Sequence, residues 1–296
     1  MRHPSGAAAG RGRLSRPSPQ AALSGIDGAL WDILGKRCGV PVYQLLGGKV
    51  RTAVPLYGHA SAKDLQDLED QVRKHIADGY RHVRVQGATA GFSGYGVSGA
   101  ETSEAVMRMR PTGTPPSPVF EPTPYVNNTI KVFDYLRAKV GFDVELLHDV
   151  HERLPPTQAI QLCKAVEPYR PFFTEDPFAP VPDVAPADLL RHCCEFFNVR
   201  TAWHGPGNVS PIGHAVNMHP DLASSNFGIQ EQNLFSERTR EMFPGAPEIR
   251  GGYMYANEKP GLGVDINEAL AAKFPYQTPG GSRGNDRRLD GTIVRP

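Results

Sequence analysis

The chain has 296 residues, and its 32 basic and 31 acidic side chains leave a formal net charge of +1. This balance removes the electrostatic reason to expect nucleic acid or an anionic lipid surface as a partner. Apolar runs are too short to cross a membrane, and 4 cysteines do not predict a disulfide framework in a chain of this length. We therefore expect a reduced, cytoplasmic protein without a membrane or nucleic-acid partner.

The N-terminal region divides into a tail and a helical segment. Residues 1–20 are rich in arginine, proline and serine and contain no acidic residue, which predicts a disordered tail, with a targeting signal as the alternative. Residues 21–50 begin near an N-cap candidate, Ser24, and continue with apolar residues at helical spacing. This spacing predicts a helix whose buried side is formed by Ala29, Trp31, Ile33 and Leu34.

Beyond residue 51, strand-like and helix-like segments alternate. The strand candidates lie at 53–61, 81–87, 144–150, 171–177, 200–204 and 226–231. Alternation of this kind predicts βα units around a parallel sheet. The segment 88–124 is rich in glycine and proline and is too long for an ordinary connection, so it is predicted to be lid-like or disordered.

Polar side chains recur where the predicted strands end. They are His59, Arg84, Gln86, Asp149, His151, Glu175, His204 and Glu231. Asp149 and Glu175 follow consecutive strands and are separated by nearly one repeat of an eightfold barrel, which takes about 30 residues. In such barrels the reactive groups gather at the carboxyl ends of the strands. The repetition predicts an active site at that end of the sheet.

Two carboxylates and an imidazole suggest the chemistry of that site. Asp149 and Glu175 are hard oxygen ligands that suit Mg²⁺. His151 lies two residues after Asp149, on the same face of an extended strand, and imidazole titrates near neutral pH, so it is placed for proton transfer. The alternative is structural, because a strand-end aspartate often caps a helix and the sequence Glu175-Asp176-Pro177 is typical of a turn.

Three further residues have both a functional and a structural interpretation. The guanidinium of Arg84 suits a carboxylate or a phenol at the barrel mouth, or else a structural ion pair. Tyr95 lies in the glycine-rich loop and could fold over the site, where a nearby cation would lower its pKa enough for it to act as a base. His204 precedes a tight turn and contacts either substrate or its packed neighbours.

Several stretches together resemble a known family. They include "ALWDILGK", "VPLYGHAS", "VELLHDVHERLPP", "FFTEDP", "TAWHGPG" and "NFGIQE". On these stretches the chain resembles the enolase superfamily and, within it, the mannonate dehydratase group that includes starvation-sensing proteins. The resemblance implies an α/β fold, a (β/α) TIM-type barrel over 51–250. It also implies the remnant of an α+β capping domain over 21–50, to which the C-terminal segment 251–296 returns.

The resemblance also implies a reaction and a set of roles. The reaction is Mg²⁺-assisted loss of water from a sugar acid such as D-mannonate, which gives a 2-keto-3-deoxy acid, in a protein that can form a homo-oligomer. The implied metal ligands are Asp149 and Glu175. The implied catalytic and substrate-binding residues are the acid His151, the base Tyr95 with its assistant Arg84, and the substrate contacts His59, His204 and Glu231.

The chain departs from the family pattern in one region of the barrel. Between Glu175 and His204 there is room for one βα repeat where the family has three, so the third carboxylate ligand is absent and about six of eight barrel units remain. The first half of the capping domain is missing as well. We therefore expect an internally and N-terminally truncated or spliced dehydratase with weakened Mg²⁺ binding and little or no activity. The alternative is an inactive homologue that acts only by binding or association, and racemase chemistry is less expected because no "KxK" motif follows the second strand.

Overall fold

A computed structural model describes residues 19–97, 101–115, 117–178, 194–207, 209–275 and 286–294. Its helices are α1 (Pro19–Cys38), α2 (Val42–Leu45), α3 (Leu65–Ala77), α4 (Glu104–Arg108), α5 (Pro122–Val140), α6 (Pro156–Val166), α7 (Pro211–Ala223), α8 (Glu237–Met242) and α9 (Glu268–Ala271). Its strands are β1 (Val54–Ala62), β2 (His82–Gly87), β3 (Glu145–Asp149), β4 (Thr174–Glu175), β5 (Thr201–Trp203), β6 (Phe227–Glu231), β7 (Glu248–Arg250) and β8 (Tyr253–Tyr255).

Six of these strands pair in parallel in the order β4-β3-β2-β1-β6-β5. Among the described residues, β4 and β5 each pair with a single neighbour, so the sheet curves without closing between them. The predicted α/β fold, an incomplete (β/α) barrel of six strands, is confirmed. All six carboxyl ends lie at one edge of the sheet, where the polar strand-end residues were expected to meet.

Side chains of the barrel strands alternate between the face that packs against the helices and the interior face of the curved sheet. Val83 and Val85 of β2 are fully buried in the apolar cluster formed with α3 and α5. Arg84 and Gln86 alternate with them and point to the opposite face, the interior of the curved sheet. Packing of the valines against the helices therefore fixes the direction in which the polar residues of β2 point.

The hairpin of β7 and β8 was missed in the sequence analysis. Its turn consists of Gly251 and Gly252, with φ values of 57° and 75°, and a two-residue turn with both φ values positive favours glycine. β8 then pairs antiparallel with the start of β1, where Val54 faces Met254. The hairpin supports the amino end of β1, away from the polar strand ends.

Helix α1 packs differently from the prediction. Ile33 is 60% exposed and Ala29 and Leu34 are also exposed, so the expectation that they are buried is wrong, whereas Trp31 packs against an apolar cluster as predicted. The helix instead presents Gly28 and Gly35 to the rest of the protein, and a Cβ atom at Gly35 would lie 2.8 Å from the backbone of Gly261. This close backbone approach requires small residues at the contact and leaves Ile33 and Leu34 on the outside.

The segment after β2 is packed over its described part. Val119 and Phe120 are buried, and the Phe120 N–H donates a 2.9 Å hydrogen bond to the Arg287 carbonyl. Of the two alternatives for this segment, the described residues favour a packed lid over a disordered loop. The predicted tail 1–20 lies outside the described residues except for its last two, which begin α1, and the domain boundaries remain predictions. Among the described residues, the helices are too short or too polar to span a membrane.

Candidate active site

Arg84 lies at the centre of the polar strand ends. Its Nη1 atom donates to Asp149 Oδ2 at 3.1 Å and to Glu231 Oε1 at 3.4 Å, and its Nη2 donates to His59 Nδ1 at 3.1 Å. Arg84, Asp149 and Glu231 are all buried. One guanidinium thus joins β1, β2, β3 and β6 at the mouth of the barrel and balances part of the charge of two buried carboxylates.

Glu231 is surrounded by donors on the β5–β6 side of the site. The Gly205 N–H donates to its Oε2 at 3.0 Å, and His59 Nε2 lies 3.2 Å from its Oε1. Burial acts to raise the pKa of Glu231, but the contacts with His59, Gly205 and Arg84 hold it below its usual value. Burial lowers the pKa of His59, although the contact with Glu231 acts in the opposite direction. His204 Nε2 lies 3.8 Å from Glu231 Oε2, but its side chain is 67% exposed at the rim.

Tyr95 and His151 are stacked on the opposite side of the site. Their ring centroids are 3.6 Å apart with an interplanar angle of 9°, and His151 Nδ1 lies 3.6 Å from Asp149 Oδ2. The expectation that Asp149 and His151 share one face of an extended strand is wrong, because β3 ends at Asp149 and His151 is left-handed with φ 54°. The turn nevertheless returns the imidazole to the Asp149 carboxylate.

The charge environment of Tyr95 differs from the expectation. Arg84 lies 6.0 Å from the ring centroid and favours the phenolate, but burial and the Asp149 carboxylate outweigh it and raise the pKa of Tyr95 above its usual value. The prediction that a nearby cation lowers this pKa therefore fails for Arg84 alone. A base at this position needs additional positive charge close to Asp149.

The acidic residues of β3 and β4 fit a divalent cation. Asp149 and Glu175 are partners in the parallel register, and Tyr57 OH donates to Glu175 Oε2 at 3.1 Å. Burial, followed by the charges of Asp149 and Glu231, raises the pKa of Glu175 to about 8. Asp149 Oδ1 is buried and has no hydrogen-bond partner among the described residues. Excess negative charge and an unused carboxylate oxygen are what a Mg²⁺ site presents.

Two residues of this site were not singled out from the sequence. Tyr57 lies two residues before His59 on β1, so the alternation of the strand already placed it on the same face. Asp176 enters the sequence analysis only as part of a possible turn, but its carboxylate belongs to a cluster with Asp149 and His151 whose ligand atoms lie within 4.8 Å of one another. The carbonyl of Asp149 also accepts a 2.8 Å hydrogen bond from Gln86, which keeps the end of β3 against β2.

Comparison with protein families gives two matches along the chain. The model "Enolase C-terminal domain-like" matches residues 67–192 and 184–270. The model "Mandelate racemase / muconate lactonizing enzyme, N-terminal domain" matches residues 10–47. The larger match covers most of the barrel and includes every strand from β2 to β6, so the superfamily predicted from the sequence is confirmed.

Individual proteins similar to this chain point to one group within the superfamily. "D-galactonate dehydratase family member RspA" of Pantoea ananatis is 40% identical over 95% of this chain and 80% of the relative, and the member Dd703_0947 of Musicola paradisiaca is 39% identical over the same shares. A crystal structure of an enolase from Pantoea ananatis with bound D-gluconate and Mg has a TM-score of 0.84, 39% identity, and covers 93% of this chain and 79% of that one. A mandelate racemase/muconate lactonizing enzyme-like protein from Roseovarius sp., with a TM-score of 0.69 at 23% identity over 90% and 76% of the two chains, shows the fold alone.

The alignments also bear on the predicted truncation. The match to RspA extends over 338 positions, more than the 296 residues of this chain, so the relative has residues without a counterpart here. This is consistent with missing barrel units. The predicted carbon–oxygen lyase class and Mg²⁺ as the cofactor are confirmed by these relatives, whereas their names refer to D-galactonate rather than mannonate dehydratases. The chain belongs to the enolase superfamily and, within it, to the D-galactonate dehydratase family.

Proposed function

We propose that this protein removes water from a sugar acid in a Mg²⁺-dependent reaction, converting D-mannonate or a related aldonate into a 2-keto-3-deoxy acid. The observation that carries the proposal is the convergence of two carboxylates, an imidazole and a phenol around Arg84 at the carboxyl ends of the barrel strands. The relative with bound D-gluconate and the family name make D-gluconate and D-galactonate the other candidate substrates.

Asp149 and Glu175 would hold the metal ion. The free Oδ1 of Asp149 and the raised pKa of Glu175 both support this assignment, because a cation would satisfy the first and stabilise the ionised form of the second. When bound, Mg²⁺ supplies positive charge to the carboxylate of the substrate and stabilises the charge that develops on its oxygens.

His151 and Tyr95 would move the two protons. Tyr95 takes the proton from the carbon next to the carboxylate, and His151 donates a proton to the departing hydroxyl. Asp149 faces His151 Nδ1, so Nε2 is left for the substrate. Since the two rings are in contact, both groups would act from one side of the carbon chain of the substrate.

His59, His204 and Glu231 would contact the substrate on the other side. Glu231 is held by the Gly205 N–H and lies beside both histidines, so it can orient them towards hydroxyl groups of the substrate. The exposure of His204 supports a role at the entrance, where a ligand would cover it. The predicted homo-oligomer remains a prediction.

The second candidate function is binding or association without catalysis. It is favoured by the open sheet, because β4 has only two residues and β5 only three, and neither has a second strand partner among the described residues. An open barrel admits water and holds its metal ligands less rigidly. Glu175 and His204 are the site residues that this opening affects most directly.

Product formation separates the two candidates. The purified chain is incubated with Mg²⁺ and D-mannonate, D-gluconate or D-galactonate, and 2-keto-3-deoxy acid is measured. We expect product from at least one substrate, its loss on chelation, and its loss in His151→Asn. The absence of product from all three acids, in a protein whose circular dichroism shows a folded α/β chain, would instead support the non-catalytic candidate.

A further inference from the structure

Asp176 is the acidic residue of the site to which the dehydration scheme assigns no role. One carboxylate oxygen of Asp176, one of Asp149 and a ring nitrogen of His151 lie within 4.8 Å of one another. Asp149 is almost fully buried, His151 is half-buried and Asp176 is exposed at the rim. The cluster therefore reaches from the interior of the barrel to solvent.

The backbone explains how Asp176 reaches this position. Asp176 follows Glu175 directly, and consecutive residues of a strand point to opposite faces. β4 ends at Glu175, however, and Asp176 is left-handed with φ 41°. The Val150 N–H donates to the Glu175 carbonyl and the Glu152 N–H donates to the Asp176 carbonyl, each at 2.9 Å, so the two chain segments stay paired beyond the strands. This pairing keeps Asp176 beside Asp149 and His151.

A second observation points to a ligand in the cluster. Asp149 is 2% exposed, and its Oδ2 faces Arg84 and His151. Its Oδ1 is buried and lacks a hydrogen-bond partner in the part of the chain that the structure describes. A buried carboxylate oxygen without a donor is unfavourable. A cation between Asp149 and the rim would remove that cost.

We propose that Asp176 supplies a carboxylate ligand to the Mg²⁺ ion bound at Asp149, in place of the third carboxylate that the family places on a later strand. The inference rests on the proposed function, since it concerns the same ion. His151 is the remaining member of the cluster, but Mg²⁺ prefers oxygen to imidazole nitrogen, so His151 stays the proton donor. Asp176 follows directly after β4, so it would provide this carboxylate without the missing strand.

Binding of Mn²⁺, which shares the oxygen preference of Mg²⁺, tests the assignment. Free Mn²⁺ is followed by electron paramagnetic resonance in titrations of the full chain and of the variants Asp176→Asn, Glu152→Gln and Asp149→Asn. Loss of a second-shell partner weakens metal binding by about 10-fold to 100-fold, so loss of a direct ligand in Asp176→Asn should raise the Kd at least about 10-fold. Glu152→Gln removes the same charge next to His151 without removing a proposed ligand. Its Kd for Mn²⁺ should therefore stay within about twofold of the wild-type value, well below the effect of losing a ligand.

The variants also separate failure of this inference from failure of the proposed function. If Asp149→Asn loses Mn²⁺ binding but Asp176→Asn binds as Glu152→Gln does, the ion is bound without Asp176 and the inference is overturned alone. If Asp149→Asn binds as the wild type does, the metal site itself is wrong and the proposed function fails with it. Equal thermal unfolding of the four proteins in EDTA verifies that the differences arise at the site.

Discussion

The two sides of the barrel differ in how completely they are built. On one side, β1, β2 and β3 have nine, six and five residues, and α3, α5 and α6 cover them with a continuous apolar core. On the other side, β4 and β5 have two and three residues, and three aromatic side chains near them are exposed: Phe178, Phe196 and Phe197. The first side resembles a complete barrel, and the second is where units are missing.

This difference separates the residues of the site into two groups. Arg84, Asp149 and His59 lie on the well-packed strands, and each is held by hydrogen bonds or ion pairs to another of them. Glu175 and His204 lie at the edges of the opening, where the described residues provide one neighbouring strand instead of two. The proposed proton transfer and the proposed first metal ligand would therefore be supported by the packed side, whereas the other proposed metal ligands and part of the proposed substrate pocket would depend on the open side.

The largest effect should come from removing the base on the packed side. Tyr95→Phe keeps the ring that stacks on His151 but removes the phenol oxygen, so the rate of sugar-acid dehydration should fall by about 10²–10⁴-fold. The rate of 2-keto-3-deoxy acid formation at saturating Mg²⁺ measures this loss of activity. Tyr135→Phe is the matched control, since that hydroxyl bonds Glu69 on the helical surface, far from the strand ends. A Tyr95→Phe enzyme as fast as the control would remove Tyr95 from the mechanism.

Arg84 should matter for stability as well as for activity. Arg84→Met leaves Asp149 and Glu231 buried without their shared cation, and breaking such a pair costs roughly 3–5 kcal/mol of unfolding free energy. Urea denaturation in EDTA measures the loss. Lys74→Met, which removes an exposed ion pair with Asp78, should leave the midpoint unchanged. Equal midpoints for the two variants would contradict the central position of Arg84.

Apolar substitutions compare the two sides directly. Leu146→Ala on β3 creates a cavity in the fully buried core and should cost about 2–5 kcal/mol. Phe197→Ser, near β5, replaces a side chain that is 73% exposed and should change stability by less than about 0.5 kcal/mol. Urea denaturation of both variants gives the difference. A large loss of stability in Phe197→Ser would show that the Phe197 side chain is buried in solution. Light scattering would then show whether a second copy of the chain buries it.

A smaller loss of stability than those of Arg84→Met and Leu146→Ala should come from a buried histidine as the pH falls. His219 on α7 accepts a 3.1 Å hydrogen bond from the Tyr43 N–H, and burial lowers its pKa to about 4. The unfolded chain, with a histidine pKa near 6.5, binds the proton first, so this contribution is complete above pH 6.5 and is lost as the pH falls towards 4. Between pH 7.5 and 5.0 the loss is about 2 kcal/mol. His219→Gln should show a weaker dependence in urea titrations, and an unchanged one would contradict the assignment.

Sequence patterns predicted the well-packed side better than the details of the site. Alternation of apolar residues gave the strands, and the polar residue at each strand end indicated where Arg84, Asp149 and Glu175 would lie. The left-handed conformation of Asp176 could not be predicted, because a residue type does not specify its φ value in a turn. The pKa of Tyr95 depends on the balance of burial, Asp149 and Arg84, which only the folded distances determine.

The packing of α1 was mispredicted for a related reason. Apolar spacing marked Ile33 as buried, but the contact is made by glycines whose small size allows the backbones to meet. Hydrophobic periodicity locates an apolar face but does not say whether a neighbour covers it. The glycine pair of the β7–β8 turn was a usable signal of a hairpin, and its flanking strands of three residues each were too short to show alternation.

The location of a bound metal ion tests the account most directly. Crystals soaked in Mn²⁺ and measured at the manganese absorption edge should give an anomalous peak at the carboxyl ends of β3 and β4, about 2 Å from oxygens of residues 149 and 175. A peak there would establish the site on which the proposed dehydration depends. Full Mn²⁺ occupancy elsewhere, or no peak from a protein soaked at millimolar Mn²⁺, would contradict it.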